Sequence, residues 1–173
     1  LSAAQVNTYN DNDDYSAGKA VDGNVGTISA THYDTTPNTK WWAVDVNGTG
    51  PIHWVGVFNR NDGVMMSSGD SLASLLNPFE VWLLKDSPSQ GIPASASVTS
   101  STAHLCGSNM AAGDGESAWV SCGGLDTMSF VAVVNRATNM LAVAEVKVCQ
   151  SPPPSASPSP PPSPSSPSSP SSP

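Results

Sequence analysis

The stretch Trp41-Trp42-Ala43-Val44-Asp45-Val46, which runs directly into Asn47-Gly48, decides the fold class. A short run of bulky and branched apolar residues predicts a strand rather than a helix. The Asn-Gly pair that ends the run is typical of a tight turn between strands. The same stretch opens the only Asn-glycosylation sequon, Asn47-Gly48-Thr49, so we expect a glycan to be accommodated on this turn.

Similar short apolar runs recur on both sides of this strand, separated by turn residues, and no long stretch repeats with a period of 3.6 residues. They cover residues 52–59, 79–84, 119–122, 129–134 and 141–148. In the first of these runs, alternation places Ile52, Trp54, Gly56 and Phe58 on one face. Long connections over residues 61–77 and 86–105 are typical of functional loops. The pattern predicts an all-β protein, a jelly-roll β-sandwich that occupies residues 1–150.

Composition excludes several classes of function. Lys+Arg number 6 against 14 Asp+Glu, and this net charge of −8 disfavours a nucleic-acid partner. No run of 18 apolar residues is present, so we expect no membrane span. His32, His53 and His104 lie beside no recognisable nucleophile motif, and no metalloprotease, P-loop or dinucleotide motif occurs, so we expect a non-enzymatic protein. Low charge with abundant Ser, Thr, Gly and Asn predicts an extracellular location.

The chain has three cysteines. Cys106 and Cys122 flank a Gly/Ser-rich stretch with little packing of its own, which a disulfide would hold in place. The alternative is three reduced, buried thiols. If the bridge forms, Cys149 is left over at the junction with the C-terminal tail, and an intermolecular partner is one option.

The segment Asp22-Gly23-Asn24, followed by Ser29, collects oxygen-bearing side chains around a glycine turn. Calcium takes six to eight oxygen ligands, including backbone carbonyls. The alternative for this segment is an Asx turn that holds no metal.

Six short motifs occur in the order seen in F-type lectins, the fucose-binding, discoidin-like jelly rolls also called fucolectins. They are Ala20-Val21-Asp22-Gly23-Asn24, Ser29-Ala30-Thr31-His32, Trp41-Trp42-Ala43-Val44-Asp45, Asn59-Arg60-Asn61-Asp62, Phe79-Glu80-Val81 and Ala144-Glu145-Val146. The resemblance covers roughly residues 3–149 and implies a galactose-binding-like β-sandwich.

The resemblance implies a Ca²⁺ site that ties the N-terminal loop to the last strand. Its ligands would be the Lys19 carbonyl, Asp22, the Asn24 carbonyl, Ser29, the Ala144 carbonyl and Glu145. Glu145 interrupts an apolar run, where a carboxylate is costly unless it is paired or metal-bound, although it could also point to solvent. The resemblance also implies the Cys106–Cys122 bridge. A second disulfide of the family falls on Ala30 and Ala144 and is absent here.

The sugar-binding residues implied by the resemblance are His32, Arg60 and Asp62. Arg60 and His32 would donate to sugar hydroxyls while Asp62 holds the guanidinium in place. The family's second basic residue falls on Ser67, so the basic clamp is incomplete. The alternative is that Arg60 and Asp62 form an ion pair that braces the base of the loop.

Residues 151–173 contain eleven Pro, eleven Ser and one Ala, which cannot build a core and are compatible with polyproline II. This tail resembles the Ser/Pro-rich segments of hydroxyproline-rich glycoproteins of algal and plant cell walls. That resemblance implies hydroxylated, glycosylated prolines that stiffen an arm for assembly; a bare spacer is the alternative. The prolines are Pro152, Pro153, Pro154, Pro158, Pro160, Pro161, Pro162, Pro164, Pro167, Pro170 and Pro173.

Two functions follow from these features. The first is an extracellular structural glycoprotein in which a lectin-like head and a polyproline arm assemble with other copies into a fibril, cell wall or matrix. Such a head-to-tail contact is heterologous and produces rings or filaments. The second is a calcium-dependent lectin for fucose-type glycans, tethered by a glycosylated stalk. The tail and the missing second basic residue favour the first.

Overall fold

The computed structural model describes residues 1–32, 40–63, 71–93, 100–136 and 140–151, and its strands pair antiparallel. The strands of this described part are β1 (Ser2–Gln5), β2 (Ser29–Ala30), β3 (Lys40–Asp45), β4 (Ile52–Phe58), β5 (Phe79–Leu84), β6 (Ala103–Met110), β7 (Ser117–Leu125), β8 (Phe130–Asn135), β9 (Ala142–Val143) and β10 (Glu145–Cys149). Short 3₁₀ helices lie at Tyr9–Asp11, Asp13–Tyr15, Ala17–Val21, Leu72–Leu75 and Pro88–Gln90. Within these ranges no helix has the length and apolar character needed to cross a membrane.

Two sheets form the sandwich. The larger has five strands in the order β1-β3-β8-β5-β6, and the smaller has three in the order β10-β4-β7. β2 and β9 form a separate two-stranded sheet. The main core fills the space between the two sheets, where Val44, Val81 and Val133 of the larger sheet share one cluster with Val55 and Val57 of the smaller. The predicted jelly-roll β-sandwich is confirmed.

Strands form where short apolar runs were predicted at β3, β4, β5, β7 and β8, with ends shifted by one or a few residues. The run over residues 141–148 is not one strand. It breaks at Ala144, whose N–H donates to the Phe58 carbonyl, so β9 pairs with β2 while β10 pairs with β4. The prediction of a single strand there was wrong, because the two halves of this segment pair with strands of different sheets.

The predicted face of β4 was also wrong at its first residue. A register shift between Ile52 and Trp54 turns Ile52 toward the core, together with Val55 and Val57. Trp54 and Phe58 are half-buried. Gly56 is required here because a Cβ atom would approach the Trp119 ring to 2.7 Å.

The Cys106–Cys122 disulfide is present, with a Cα–Cα distance of 4.7 Å. Cys106 lies on β6 and Cys122 on β7, which are edge strands of the two different sheets. The bridge therefore fastens one side of the sandwich, and the alternative of three reduced thiols is wrong. Cys149 is a free, half-buried cysteine at the end of β10.

Two predicted features lie at the periphery. Asn47 is exposed on the turn that follows β3, and its N–H donates to the Asp45 carboxylate at 2.8 Å, so the sequon occupies the predicted kind of site. The prolines of the predicted polyproline tail, residues 152–173, lie outside the described residues, as does Ser67.

Candidate functional site

The N-terminal turn places predicted calcium ligands around one point. The 3₁₀ helix Ala17–Val21 ends at Asp22, and Gly23 has a φ of +81° that few other residues adopt. An Asp22 carboxylate oxygen accepts the Asn24 N–H at 2.9 Å. This is the Asx turn that the sequence allowed, and it is compatible with a metal site because the turn itself engages only one of the two carboxylate oxygens.

Thr27, which the sequence interpretation missed, lies at the centre of this turn. Its Oγ1 is 3.2 Å from the Lys19 carbonyl, 2.8 Å from the Asn24 carbonyl, and 3.0 and 2.8 Å from the two Asp22 carboxylate oxygens. A hydroxyl carries one hydrogen, so it cannot satisfy four acceptors at once. Such a surplus of oxygen acceptors fits a hard cation such as Ca²⁺.

Glu145 joins this turn to the last strand. It is only 4% exposed, so the alternative that it points to solvent is wrong. Its Oε2 accepts the Gly23 N–H at 3.3 Å, a contact between residues 122 positions apart. Burial raises the pKa of this carboxyl and the Asp22 carboxylate raises it further, while the Gly23 N–H and Lys147 act against them. A cation between Asp22 and Glu145 would remove this repulsion.

The two remaining predicted ligands, Ser29 and Ala144, are not among the groups around Thr27. Ser29 is buried, and its hydroxyl donates to Gln5 Oε1 on β1 rather than turning toward Asp22. Ala144 is buried directly before Glu145. The structure thus brings together Lys19, Asp22, Asn24 and Glu145, and it occupies the Ser29 hydroxyl elsewhere.

Arg60 and Asp62 form a bidentate ion pair just beyond β4. Arg60 Nε donates to Asp62 Oδ1 at 3.0 Å, and Nη2 donates to Oδ2. The Arg60 side chain is 9% exposed and that of Asp62 is 35% exposed. The pair that the sequence offered as an alternative to a sugar site is therefore present, and its geometry also meets the role proposed for Asp62 in holding the guanidinium.

Asn59 fixes the backbone beneath this pair. Its buried amide donates to the carbonyls of Ala73, at 2.9 Å, and Ala112, at 2.8 Å, while its Oδ1 accepts the Arg60 N–H at 2.9 Å. These bonds join β4 to the 3₁₀ helix Leu72–Leu75 and to the segment after β6. Arg60 consequently starts from a rigid base.

The ion pair lines a cavity of about 270 Å³. The other lining residues are Tyr9, Tyr15, Ala30, Leu72 and Met140. The rings of Tyr9 and Tyr15 pack edge to face with centroids 5.3 Å apart. His32 is exposed, and its ring centroid is 6.4 Å from that of Tyr9. Of the three predicted sugar-binding residues, Arg60 and Asp62 thus line this cavity, and His32 lies next to Tyr9, one of its lining residues.

Sequence reasoning missed Tyr9 and Tyr15. The available signal was their position, since both interrupt the strongly polar stretch Asn7-Thr8-Tyr9-Asn10-Asp11-Asn12-Asp13-Asp14-Tyr15. Aromatic residues in a polar surface loop are candidates for a binding role, because binding residues are often carried by loops.

No protein-family model and no curated protein sequence matches this chain. Solved structures do match. The lectin domain of lectinolysin complexed with Lewis B antigen is 25% identical, with a TM-score of 0.62 over 87% of this chain and 92% of that one. A fucose-binding module of Streptococcus pneumoniae is 20% identical, with a TM-score of 0.60 over 87% and 91% of the two chains.

The fucolectin from the serum of striped bass, Morone saxatilis, is 21% identical, with a TM-score of 0.60 over 85% of this chain. The match spans 44% of the bass protein, which is less than half of its length. These similar structures are lectins and carbohydrate-binding modules by name. The described part of this chain is therefore a lectin-like jelly roll with the fold of fucose-binding, discoidin-like domains.

Proposed function

We propose that this protein is a non-enzymatic carbohydrate-binding protein that takes a fucose-type sugar in the Arg60 cavity. The observation that carries the proposal is the bidentate Arg60–Asp62 pair on the wall of a cavity that also presents two tyrosine rings. A pocket with few fixed polar groups and apolar walls is the usual form of a small-molecule site.

The ion pair prepares Arg60 to donate. Asp62 engages Nε and one N–H of Nη2, so the other guanidinium N–H groups can reach sugar hydroxyls. Because the guanidinium is held before the ligand arrives, binding loses less side-chain entropy. Tyr9 and Tyr15 offer apolar ring surface for the C–H face of a sugar, and His32 adds a polar group at the rim.

The likeness to the lectin domain of lectinolysin supports this choice of ligand. That domain is complexed with Lewis B antigen, and this chain matches 92% of its length. The incomplete basic clamp at Ser67 argues for weaker binding and not for a different class of ligand, since Arg60 and His32 remain.

The same proposal includes a resident Ca²⁺. Asp22, Glu145, Thr27 and the carbonyls of Lys19 and Asn24 would hold it, and the resemblance adds the Ala144 carbonyl. Ser29, which the resemblance also implies, donates its hydroxyl to Gln5 instead. Bound there, it supplies positive charge between two carboxylates. The chain's own contribution is to fasten the N-terminal segment, which carries Tyr9 and Tyr15, to strand β10 through Glu145 and Gly23.

Titration calorimetry with L-fucose tests the sugar proposal. Arg60→Met should abolish binding because it removes the donors, and Arg60→Lys should weaken it because a lysine cannot keep the bidentate fork. Lys85→Ala, which changes an exposed cation beyond β5, is the matched control and should bind as the wild type does. Unchanged affinity in Arg60→Met, with an unchanged melting curve, would reject the site.

We further propose that the protein is extracellular, in line with its disulfide. Assembly into a homopolymer through the Ser/Pro-rich tail stays a prediction from the sequence, since residues 152–173 lie outside the described residues. A lectin head does not exclude such a role, because glycans on a neighbouring tail would be ligands for it.

A further inference from the structure

A second cavity, of about 300 Å³, opens at the edge formed by β5 and β6. Its lining residues are Pro78, Phe79, Glu80, Ser108, Asn109 and Arg136. None of the residues described as lining the Arg60 cavity is among them. The volume falls at the lower end of the range for small-molecule sites.

The charged wall of this cavity is fixed in place. Arg136 Nε donates to both carboxylate oxygens of Glu80, at 3.0 and 3.1 Å, and Nη2 donates to the Pro93 carbonyl at 2.6 Å. The indole N–H of Trp82 donates to the same carboxylate at 2.7 Å. The side chains of Arg136 and Glu80 are 19% and 14% exposed. Trp82 holds Glu80, and Glu80 and the Pro93 carbonyl hold Arg136. The remaining N–H donors of Arg136 therefore point in a defined direction.

Arg136 keeps binding capacity after these contacts. A guanidinium has five N–H groups, and its contacts within the described residues engage Nε and one N–H of Nη2, which leaves three. The hydrogen bond to the Pro93 carbonyl therefore leaves N–H groups of Arg136 available to a ligand.

The opposite wall is shaped by a bulge in β6. The register between β5 and β6 shifts between Phe79 and Val81, and Asn109 adopts a left-handed conformation with a φ of 54°. Bulges commonly redirect side chains next to functional sites, and asparagine is among the few residues that tolerate this φ. Ser108 and Asn109 are exposed, and their side chains make no hydrogen bond to other residues in the described ranges.

We propose that this cavity is a second carbohydrate subsite that takes a neutral pyranose ring with adjacent hydroxyl groups. Arg136 donates, while the Asn109 amide and the Ser108 hydroxyl can each donate and accept, which matches a pair of neighbouring sugar hydroxyls. The exposed Pro78 ring offers an apolar surface for the C–H face of the sugar. Glu80 neutralises Arg136, and the chain carries a net charge of −8, so an anionic sugar is the poorer ligand.

Trp82 makes the proposal testable by NMR. Its side chain is fully buried and its indole N–H touches Glu80, so occupation of this cavity should shift its ¹H–¹⁵N resonance. The Trp42 indole, which donates to the Ala17 carbonyl at 2.9 Å, reports on the N-terminal segment instead. Full-length protein is titrated with D-galactose, D-glucose, D-mannose, D-xylose, L-fucose and D-glucuronate. At least one neutral sugar should shift Trp82 to saturation and leave Trp42 in place.

The double variant Ser108→Ala/Asn109→Gly tests the contribution of these two polar side chains to sugar binding. Glycine keeps the left-handed backbone at position 109, so the fold should be preserved while two polar groups are lost. We expect the affinity read at Trp82 to fall roughly tenfold or more, as the loss of two hydrogen bonds implies. Ser121→Ala, an exposed serine on β7, is the control and should titrate as the wild type does.

The proposal does not rest on the Arg60 cavity, and the two can fail separately. In Arg60→Met the Trp82 shift should persist, even though binding at the first cavity is lost. A Trp82 resonance that no sugar moves, a shift that survives unchanged in the double variant, or tighter binding of D-glucuronate than of every neutral sugar would overturn it.

Discussion

Removing calcium should destabilise the head, whereas removing the charge of Glu145 should leave the calcium-free head at least as stable as the calcium-free wild type. If Ca²⁺ binds the folded chain alone, it stabilises that state by RT ln(1 + [Ca²⁺]/Kd), which is about 2.7 kcal/mol at a hundredfold excess over Kd. For a chain of 173 residues, where 1 kcal/mol moves Tm by about 2–4 °C, EDTA should lower Tm by roughly 5–11 °C.

Glu145→Gln should behave differently because the variant keeps an acceptor for the Gly23 N–H but loses the buried charge. Without calcium, the wild-type carboxylate is buried beside Asp22, which is why its pKa is raised. The variant should therefore melt at or above the temperature of the metal-free wild type at neutral pH, and it should respond little to calcium. Asp126→Asn, at an exposed carboxylate between β7 and β8, is the control and should keep the full calcium response.

The pH dependence has a defined sign. A carboxyl whose pKa is raised in the folded state contributes stability below its ordinary value of 4.5, and that contribution is lost as pH rises through the raised pKa. The calcium-free protein should thus lose stability over this window. Because calcium binds the ionised form, its effect on Tm should be small below about pH 4.5 and should grow as pH rises through the window.

Differential scanning fluorimetry at several pH values, with EDTA or added CaCl₂, gives all of these quantities. Identical melting curves with and without calcium at neutral pH, together with no bound metal by native mass spectrometry, would refute the metal site. A Glu145→Gln variant that melts well below the metal-free wild type would refute the reasoning about its buried charge.

Three further predictions concern other parts of the chain. Replacing Cys106 and Cys122 by serine should cost about 3 kcal/mol in urea unfolding, because the bridge closes a loop of 16 residues; an unchanged unfolding midpoint would contradict this. With Ser67 in place of a basic residue, calorimetry should give an affinity for free fucose roughly one to two decades weaker than that of a lectin with the full clamp, and equal affinity would contradict the role assigned to that position. Truncation after Gln150 should leave a folded head that sediments as a monomer, whereas the full chain should form polymers; a full chain that stays monomeric at high concentration would contradict assembly through the tail.

The strands that the sequence predicted correctly are those whose side chains face the core on consecutive or alternate positions. β3, β5 and β8 lie within the five-stranded sheet, and their apolar residues are covered on both faces, by the main core and by a second cluster that includes Trp82 and Ala132. Continuous apolar runs are the expected signature of such strands.

β6 could not be predicted in this way because it is an edge strand. Its sequence Ala-His-Leu-Cys-Gly-Ser-Asn-Met has no apolar run, and Ala103 is its only fully buried residue. Pairing with β5 and the disulfide to β7 hold it in the sheet. These are tertiary interactions between residues distant in sequence, which local propensity does not report.

The candidate site likewise contains residues that a sequence motif identifies and residues that only the fold identifies. Asp22 and Arg60 belong to short motifs, so a resemblance in sequence is enough to point to them. Thr27 and Arg136 belong to none, and their importance depends on which oxygens and which carboxylate the fold brings near them. Thr27 has four acceptors around one hydroxyl, and Arg136 keeps free donors beside a bulge. Each imbalance between donors and acceptors is visible only in three dimensions, and each is the kind of imbalance that a ligand corrects.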